Sequence, residues 1–301
     1  MSEGPQPKQK GDLIEGYRVM SEIGRGAASI IYLVQDVKNK QVWALKHVEK
    51  SNPKDQRFLD QAEAEYKIAQ ELDHPSVRAI PKLIKKKGSL LSVKELFLIM
   101  ELVDGQSLEV HPPKTFEEAV NIFKQTARGL AHMHSRGFVH ADMKPNNIVV
   151  SDQGEAKIID LGQSCRAGTI KERIQGTPDY IAPEQVHRRE ITAKTDIYNL
   201  GATMYWTLTR RHIPTALAKG NSLVGSLDDN LIEKPKPAIE INSRIQPKLN
   251  ELIMQCVEVN PEKRPPDMQF VADRLELILG ILLASNDRNS SGSDMPSVSE
   301  G

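Results

Sequence analysis

The chain's densest run of chemically useful side chains is His140-Ala141-Asp142-Met143-Lys144-Pro145-Asn146-Asn147, which leads straight into the apolar stretch Ile148-Val149-Val150. Thirteen residues after Asn147 comes Asp160, inside Ile158-Ile159-Asp160-Leu161-Gly162. Both groups set polar residues against short β-type runs broken by Pro or Gly, so a hairpin would bring Asp142, Lys144, Asn147 and Asp160 to one end. Asn and Asp oxygens gathered there suit a hard cation such as Mg²⁺, which takes oxygen ligands and keeps waters and phosphate oxygens in its other positions. An aspartate with a lysine beside it would orient a hydroxyl and neutralise a phosphoryl group in transfer.

A second pair lies upstream. Lys46 closes the strand-like run ending Ala44-Leu45-Lys46, and the helical stretch at 55–72 carries Phe58, Ala62, Ala69 and Leu72 at intervals of three, four and seven. Glu65 falls in the gap of that stripe. A carboxylate on a buried helical face is costly unless a cation meets it, and Lys46 is the natural partner; a solvated Glu65 at the stripe's edge is the other reading. Earlier still, Ile23-Gly24-Arg25-Gly26-Ala27-Ala28-Ser29-Ile30-Ile31 places two glycines between strand-like runs. Such a turn lets backbone N–H groups approach a phosphate, although many hairpins share the composition. No Gly-Lys-Ser/Thr follows, so it is not a Walker loop.

The elements that would hold these residues change character near residue 105. Short β-type runs occupy Tyr17–Ile23, Ile30–Asp36, Gln41–Val48 and Phe97–Leu102, interrupted by the helix at about 55–72. Beyond Asp104-Gly105 the signal is mainly helical. Thr115-Phe116-Glu117-Glu118 has capping-box spacing, Ala119, Ile122, Phe123, Thr126, Leu130 and Met133 repeat every three or four residues, and Gly137 sits where a helix would end. A small β-rich lobe thus precedes a larger helical one. Residues 1–12 read as a flexible lead-in and 286–301 as a disordered Ser-rich tail. Lys and Arg number 40 against 40 Asp and Glu, a balance that argues against a general nucleic-acid or anionic-membrane binder. Two cysteines are too few for a disulfide framework and point to a reducing, cytoplasmic setting. No secretory leader is visible, and the longest apolar run (277–284) is far short of the ~20 residues of a membrane span.

In order, the residues resemble the eukaryotic-type (Hanks-type) protein serine/threonine kinase family: Gly24-x-Gly26, Ala44-x-Lys46, Glu65, His140-x-Asp142-x-Lys144-Pro145-x-Asn147, Asp160-x-Gly162, Ala182-Pro183-Glu184 and Arg264. The resemblance covers roughly residues 17–285, and the combination is far more specific than any one motif. It implies an α+β, two-lobed kinase fold over 13–285, with an N-lobe to about 101, a hinge at 101–106 and a C-lobe from 107. It also implies ATP and Mg²⁺ as cofactors and proteins with Ser/Thr hydroxyls as substrates, with no nucleic-acid partner; oligomeric state is left open. Lys46 would hold the α/β-phosphates and pair with Glu65, Asp160 and Asn147 would bind Mg²⁺, Asp142 would orient the acceptor hydroxyl and Lys144 would meet the γ-phosphate. Residues 23–31 would cover the phosphates. Ile31 and Ala44 would pack on the base, Met100 would form the back wall, and Glu101 and Val103 would offer backbone groups to it. Thr177 would bridge Asp142 and Lys144, and Glu184 with Arg264 and Asp196 would be structural.

Four departures from the family pattern bear on mechanism. Ser29 replaces the third loop glycine, Leu161 the Phe after Asp160, and Asn146 a carboxylate that attracts substrate arginine. Ala141 replaces the Arg that balances an activation-segment phosphate, and Arg173 occupies the usual phosphothreonine position. The expectation is an enzyme not controlled by that phosphate; a nucleotide-binding pseudokinase scaffold is the alternative. Cys165 reads as an unreactive thiol, Leu277–Leu283 as the inner face of the last helix, and Lys85-Lys86-Lys87 as a solvated turn.

Overall fold

A computed structural model of the chain describes residues 5–26, 28–88, 92–214 and 232–291, with side chains to 285. Its upper lobe is one antiparallel sheet in the order β1 (Leu13–Ile14), β2 (Tyr17–Arg25), β3 (Ser29–Asp36), β4 (Val42–Glu49), β6 (Val93–Met100) and β5 (Lys82–Lys87). Alternation sets the two faces. Ile30, Tyr32, Val34, Leu45, Phe97 and Ile99 form the outer cluster, whereas Ala44, Val48, Leu96, Leu98 and Met100 face α1 (Gln56–Ala69) and the cleft. Strand β5 corrects the expectation of a turn at Lys85-Lys86-Lys87. It is an edge strand, so its lysines stay in water while its backbone pairs with β6, and no apolar alternation betrays it.

The lower lobe is helical. Helix α2 (Phe116–Ser135) is capped by Thr115, whose Oγ1 accepts from Glu118 N at 3.1 Å, and the chain reverses at Gly137 with φ +79°. Helix α4 (Ala193–Thr209) is buried nearly all round, as the central element of a helical lobe must be. Packed on this frame are α3 (Pro183–Val186), α5 (Ala238–Ile241), α6 (Pro247–Cys256) and α7 (Met268–Ser291). Helix α7 continues through 286–291, where a disordered tail was expected; 292–301 lie outside the described residues. Its inner face is Met268, Val271, Ala272, Leu275 and Ile278, with Leu279 and Leu282 packed beside it, while Leu277, Ile281 and Leu283 point outward, so only part of the expected 277–283 stripe faces inward. No described helix is long and apolar enough to cross a membrane.

Two small ladders make the floor of the cleft: β7 (Gln106–Ser107), β9 (Ile148–Val150) and β10 (Ala156–Ile158), then β8 (Phe138–Val139) with β11 (Cys165–Arg166). Two backbone contacts help fasten the lobes. Ser76 O accepts from Ile158 N and Arg78 N donates to Ile158 O, each at 2.9 Å, tying the loop after α1 to β10. The connector crosses at Gly105, pressed so closely on β9 that a methyl there would overlap the Val150 carbonyl.

Candidate active site

Strand β4 delivers Lys46 to the cleft, where its Nζ donates to Glu65 Oε2 at 2.6 Å and lies 4.0 Å from Asp160 Oδ1. Glu65 is on the buried face of α1 with Leu59, Ala62, Ile68 and Ala69, so the paired reading of its position holds. Burial works against the Lys46 charge, but the carboxylates of Glu65 and Asp160 outweigh it and hold the lysine above its ordinary pKa. Asp160 sits recessed between the lobes with 45% of its side chain open to the cleft. Burial pushes its pKa up; Lys46, the Gly162 N–H (3.0 Å from Oδ1), His140 and Lys144 together bring it below the ordinary aspartate value. It is therefore ionised at neutral pH. Asn147 donates from Nδ2 to Asp142 O at 2.8 Å, which fixes the amide and leaves its oxygen for another partner. An ionised carboxylate and a fixed amide oxygen fit a hard divalent cation.

Below this, Asp142 is held by the segment that follows Asp160. Its Oδ1 accepts from both Thr177 N and Thr177 Oγ1 at 2.9 Å, and Lys144 Nζ reaches Thr177 Oγ1 at 2.8 Å and Asp142 Oδ2 at 3.1 Å. Ala141, fully buried and at φ +61°, donates its N–H to Asp196 Oδ1; His140 N and His134 Nε2 meet Oδ2, each contact 2.8 Å. Where an arginine would extend from position 141, an apolar cluster of Val139, Ala141 and Ile191 with Cys165 closes the space. Lys171 lies alongside, its Nζ donating to Gln163 O at 2.6 Å; burial lowers its pKa, while Cys165, Asp142 and Asp196 oppose that shift. Arg173 is exposed.

The glycine turn roofs the cleft. Gly26 N donates to Ser29 O at 2.8 Å, and a cavity of about 300 Å³ beneath is lined by Gly26, Ala28, Ser29, Lys46 and Asp160. Ile31 and Ala44 lie on the cleft side of the sheet. Of the other residues of the turn, Arg25 is exposed and paired with Glu22 at 2.8 Å, and Ile23 is half exposed. Ile30 belongs to the outer cluster, because neighbours on a strand point to opposite faces. Ala27 lies outside the described residues. In the connector, the Glu101 N–H is already given to Ala79 O at 2.8 Å, and its carboxylate accepts from Ala79 N and Lys157 Nζ. Only its carbonyl remains for a base, together with the Val103 N–H, which makes no backbone hydrogen bond among the described residues.

Reading the sequence missed three residues of this site. Gln61, one turn before Glu65, donates from Nε2 to Gly162 O at 2.7 Å and ties α1 to the Asp160 loop. Arg78 is recessed beside Met100, with Nη1 3.9 Å from its sulfur and a buried Nε without a partner among the described residues. Burial lowers its pKa, against Glu65, Asp160 and Glu101. Gln185 joins four backbone and side-chain groups around Ala141. Only Gln61 had a signal, its helical register with Glu65.

A cleft between a sheet lobe and a helical lobe, with a lysine–glutamate pair above and an aspartate–lysine–threonine cluster below, defines a phosphotransferase-type site. Residues 17–275 match the family model described as protein kinase domain, and the chain belongs to that family. Among similar curated proteins, serine/threonine-protein kinase PrkC of Bacillus subtilis is 29% identical over 276 residues, covering 86% of this chain and 41% of that protein. PknB of Mycobacterium leprae, likewise titled a serine/threonine-protein kinase, is 27% identical over 261 residues (84% and 41%). PknL of Mycobacterium tuberculosis, with the same title, is 29% identical over 280 residues (90% and 68%). The chain thus spans less than half the length of the first two.

Proposed function

We propose that the chain transfers the γ-phosphate of ATP, with Mg²⁺, to Ser or Thr hydroxyls of proteins. The observation that carries this reading is the closed Asp142–Thr177–Lys144 cluster beneath an intact Lys46–Glu65 pair. Lys46, kept protonated by two carboxylates, would grip the α/β-phosphates, and Asn147 with Asp160 would hold the cation. A Mg²⁺ ion held by these two residues would supply neutralisation of the phosphate charge. Asp142 Oδ2 would accept the proton of the incoming hydroxyl, while Thr177 fixes Oδ1 and so aims the carboxylate. Lys144 would stabilise the negative charge of the group in transfer. The relatives' titles name Ser/Thr kinases, which favours those acceptors over tyrosine. Two free cysteines, one fully buried, accord with a reducing, cytoplasmic setting.

We also propose that activity does not require phosphate on the activation segment: Ala141 brings no cation to receive one, and Arg173 stands at the usual site. Phosphatase treatment should leave most of the transfer rate intact; loss of nearly all activity, restored by rephosphorylation of this segment, would refute it. The broader test is transfer from labelled ATP to a generic basic protein, with Asp142→Asn expected to lower the rate by about 10²–10⁴. ATP binding without transfer by the parent would favour the pseudokinase scaffold.

A further inference from the structure

Gln185 follows Glu184 in α3 and is 3% exposed. Its amide is fully used. Nε2 donates to Ala141 O at 2.8 Å and to Gln175 O at 3.2 Å; Oε1 accepts from Ala182 N at 2.9 Å and from Asn199 Nδ2 at 3.0 Å. Asn199 in turn donates to Tyr180 O at 2.7 Å. The two donor bonds are the informative ones. Ala141 O belongs to the peptide leading into Asp142, and Gln175 O lies two residues before Thr177, the residue whose N–H and hydroxyl both hold Asp142. One amide therefore fixes the spacing between the catalytic loop and the segment that aims it. A buried neutral amide needs no counter-charge and no modification to hold that geometry, and the neighbouring space is closed by apolar side chains.

We propose that Gln185 is a positioning residue for phosphoryl transfer: an uncharged brace that sets Asp142 and Thr177 in register, in a protein whose position 141 carries no cation. The inference rests on the kinase reading and deepens it, assigning to one residue the work of keeping the acceptor end assembled. Gln185 touches neither nucleotide nor acceptor.

Gln185→Glu separates this role from a packing role. The carboxylate keeps both acceptor bonds, from Ala182 N and Asn199 Nδ2, and loses both donor bonds. A displacement of about 1 Å at a reacting group costs about 10²-fold in rate, so kcat for peptide phosphorylation should fall roughly 10- to 100-fold with KM for ATP unchanged. A glutamate buried there has its pKa pushed up; once protonated it can donate to Ala141 O again. The ratio of parent to variant kcat should therefore narrow as the pH is lowered from about 8.5 to about 6. Gln185→Met, which cannot donate at any pH, should show the same loss at high pH and no narrowing. Thr177→Val supplies the coupling test: adding Gln185→Glu to it should cost much less than Gln185→Glu costs alone, because both act on the same carboxylate. Parental kcat in Gln185→Glu at about pH 8.5 and in Gln185→Met, losses that track only the folded fraction, or strictly additive losses with Thr177→Val would each overturn the inference. A parent that transfers no phosphate would sink the kinase reading and this inference with it, whereas a parent that transfers and a variant that equals it sink this inference alone.

Discussion

Two buried ion pairs in this molecule use similar atoms for opposite ends. Lys46–Glu65 is a single contact of 2.6 Å on the wall of the cleft, with 18% of the lysine side chain exposed and a second carboxylate, Asp160, at 4.0 Å. Arg264–Glu184 is bidentate at 2.7 and 2.9 Å, and the arginine side chain has no exposure. Its remaining N–H groups are given to Glu258 O, Lys194 O and Val259 O, and its guanidinium stacks over Tyr198 at 4.8 Å. Thr195 Oγ1 donates to Glu184 at 2.9 Å. One pair leaves hydrogen-bonding capacity free for a ligand; the other leaves none. A cation with spare donors facing water-accessible space is equipped to bind, and a cation whose five donors are all bound inside the protein is equipped to hold helices together.

The largest expected effect comes from breaking the closed pair. Arg264→Ala leaves Glu184 charged, buried and partnered only by a hydroxyl, and should destabilise the fold by about 3–5 kcal/mol, read as a shift in the denaturant midpoint. Lys46→Met should reverse the ranking. Burial already pushes the Glu65 pKa up, so its protonation limits the stability loss to about 1–2 kcal/mol, while phosphoryl transfer should fall by about 10²-fold or more. Equal stability losses in the two variants would erase the distinction drawn above. Gln61→Leu tests whether α1 is held by the ion pair alone. It removes one hydrogen bond, worth about 0.5–1.5 kcal/mol, so the transfer rate should drop roughly 2- to 10-fold, with Lys46 still in place. No change would show that Glu65 suffices.

The smallest effect concerns acid. Burial raises the pKa of Asp196, but the hydrogen bond and charge of His134 and the contacts of His140 bring it below the ordinary 3.8. A group depressed in the folded state contributes fully above its unfolded value and loses that contribution as the pH falls through the folded one. Stability of the parent should thus be insensitive to this group down to about pH 4 and fall more steeply below it than in Asp196→Asn, measured by denaturation across that range.

The positions of Lys46, Glu65, Asp142, Asn147 and Asp160 were legible because their chemistry is carried by residue type at short, ordered spacings. Gln185, Gln61 and Arg78 were not. A glutamine has no preferred meaning until the carbonyls it meets are known, and those come from 10 to 101 residues away. Two errors have a common cause. Ile30 was placed at the nucleotide because a run of apolar residues does not announce which of its two faces is inward, and Leu277, Ile281 and Leu283 were turned inward for the same reason on a helix. Lys85–Lys87 failed differently, since an edge strand with lysines on its open side lacks the alternation by which strands are recognised.

The close crossing at Gly105, taken with the Ser76–Ile158–Arg78 ladder, also says where this molecule bends. The covalent connector between the lobes is clamped to the lower one where it presses on β9, and the loop after α1, which runs on into β5 of the sheet, is clamped to it where it pairs with β10. Glu101 adds a strut to Lys157 on β10 and a clasp to Ala79. The fulcrum for any rocking of the sheet therefore lies above residue 78 and at 101–104, so that the loop at 76–80 travels with the floor of the cleft rather than with its roof. The part that swings is then the sheet and the glycine turn, a lid hung on a hinge of a few residues, while the acceptor side stays still beneath it.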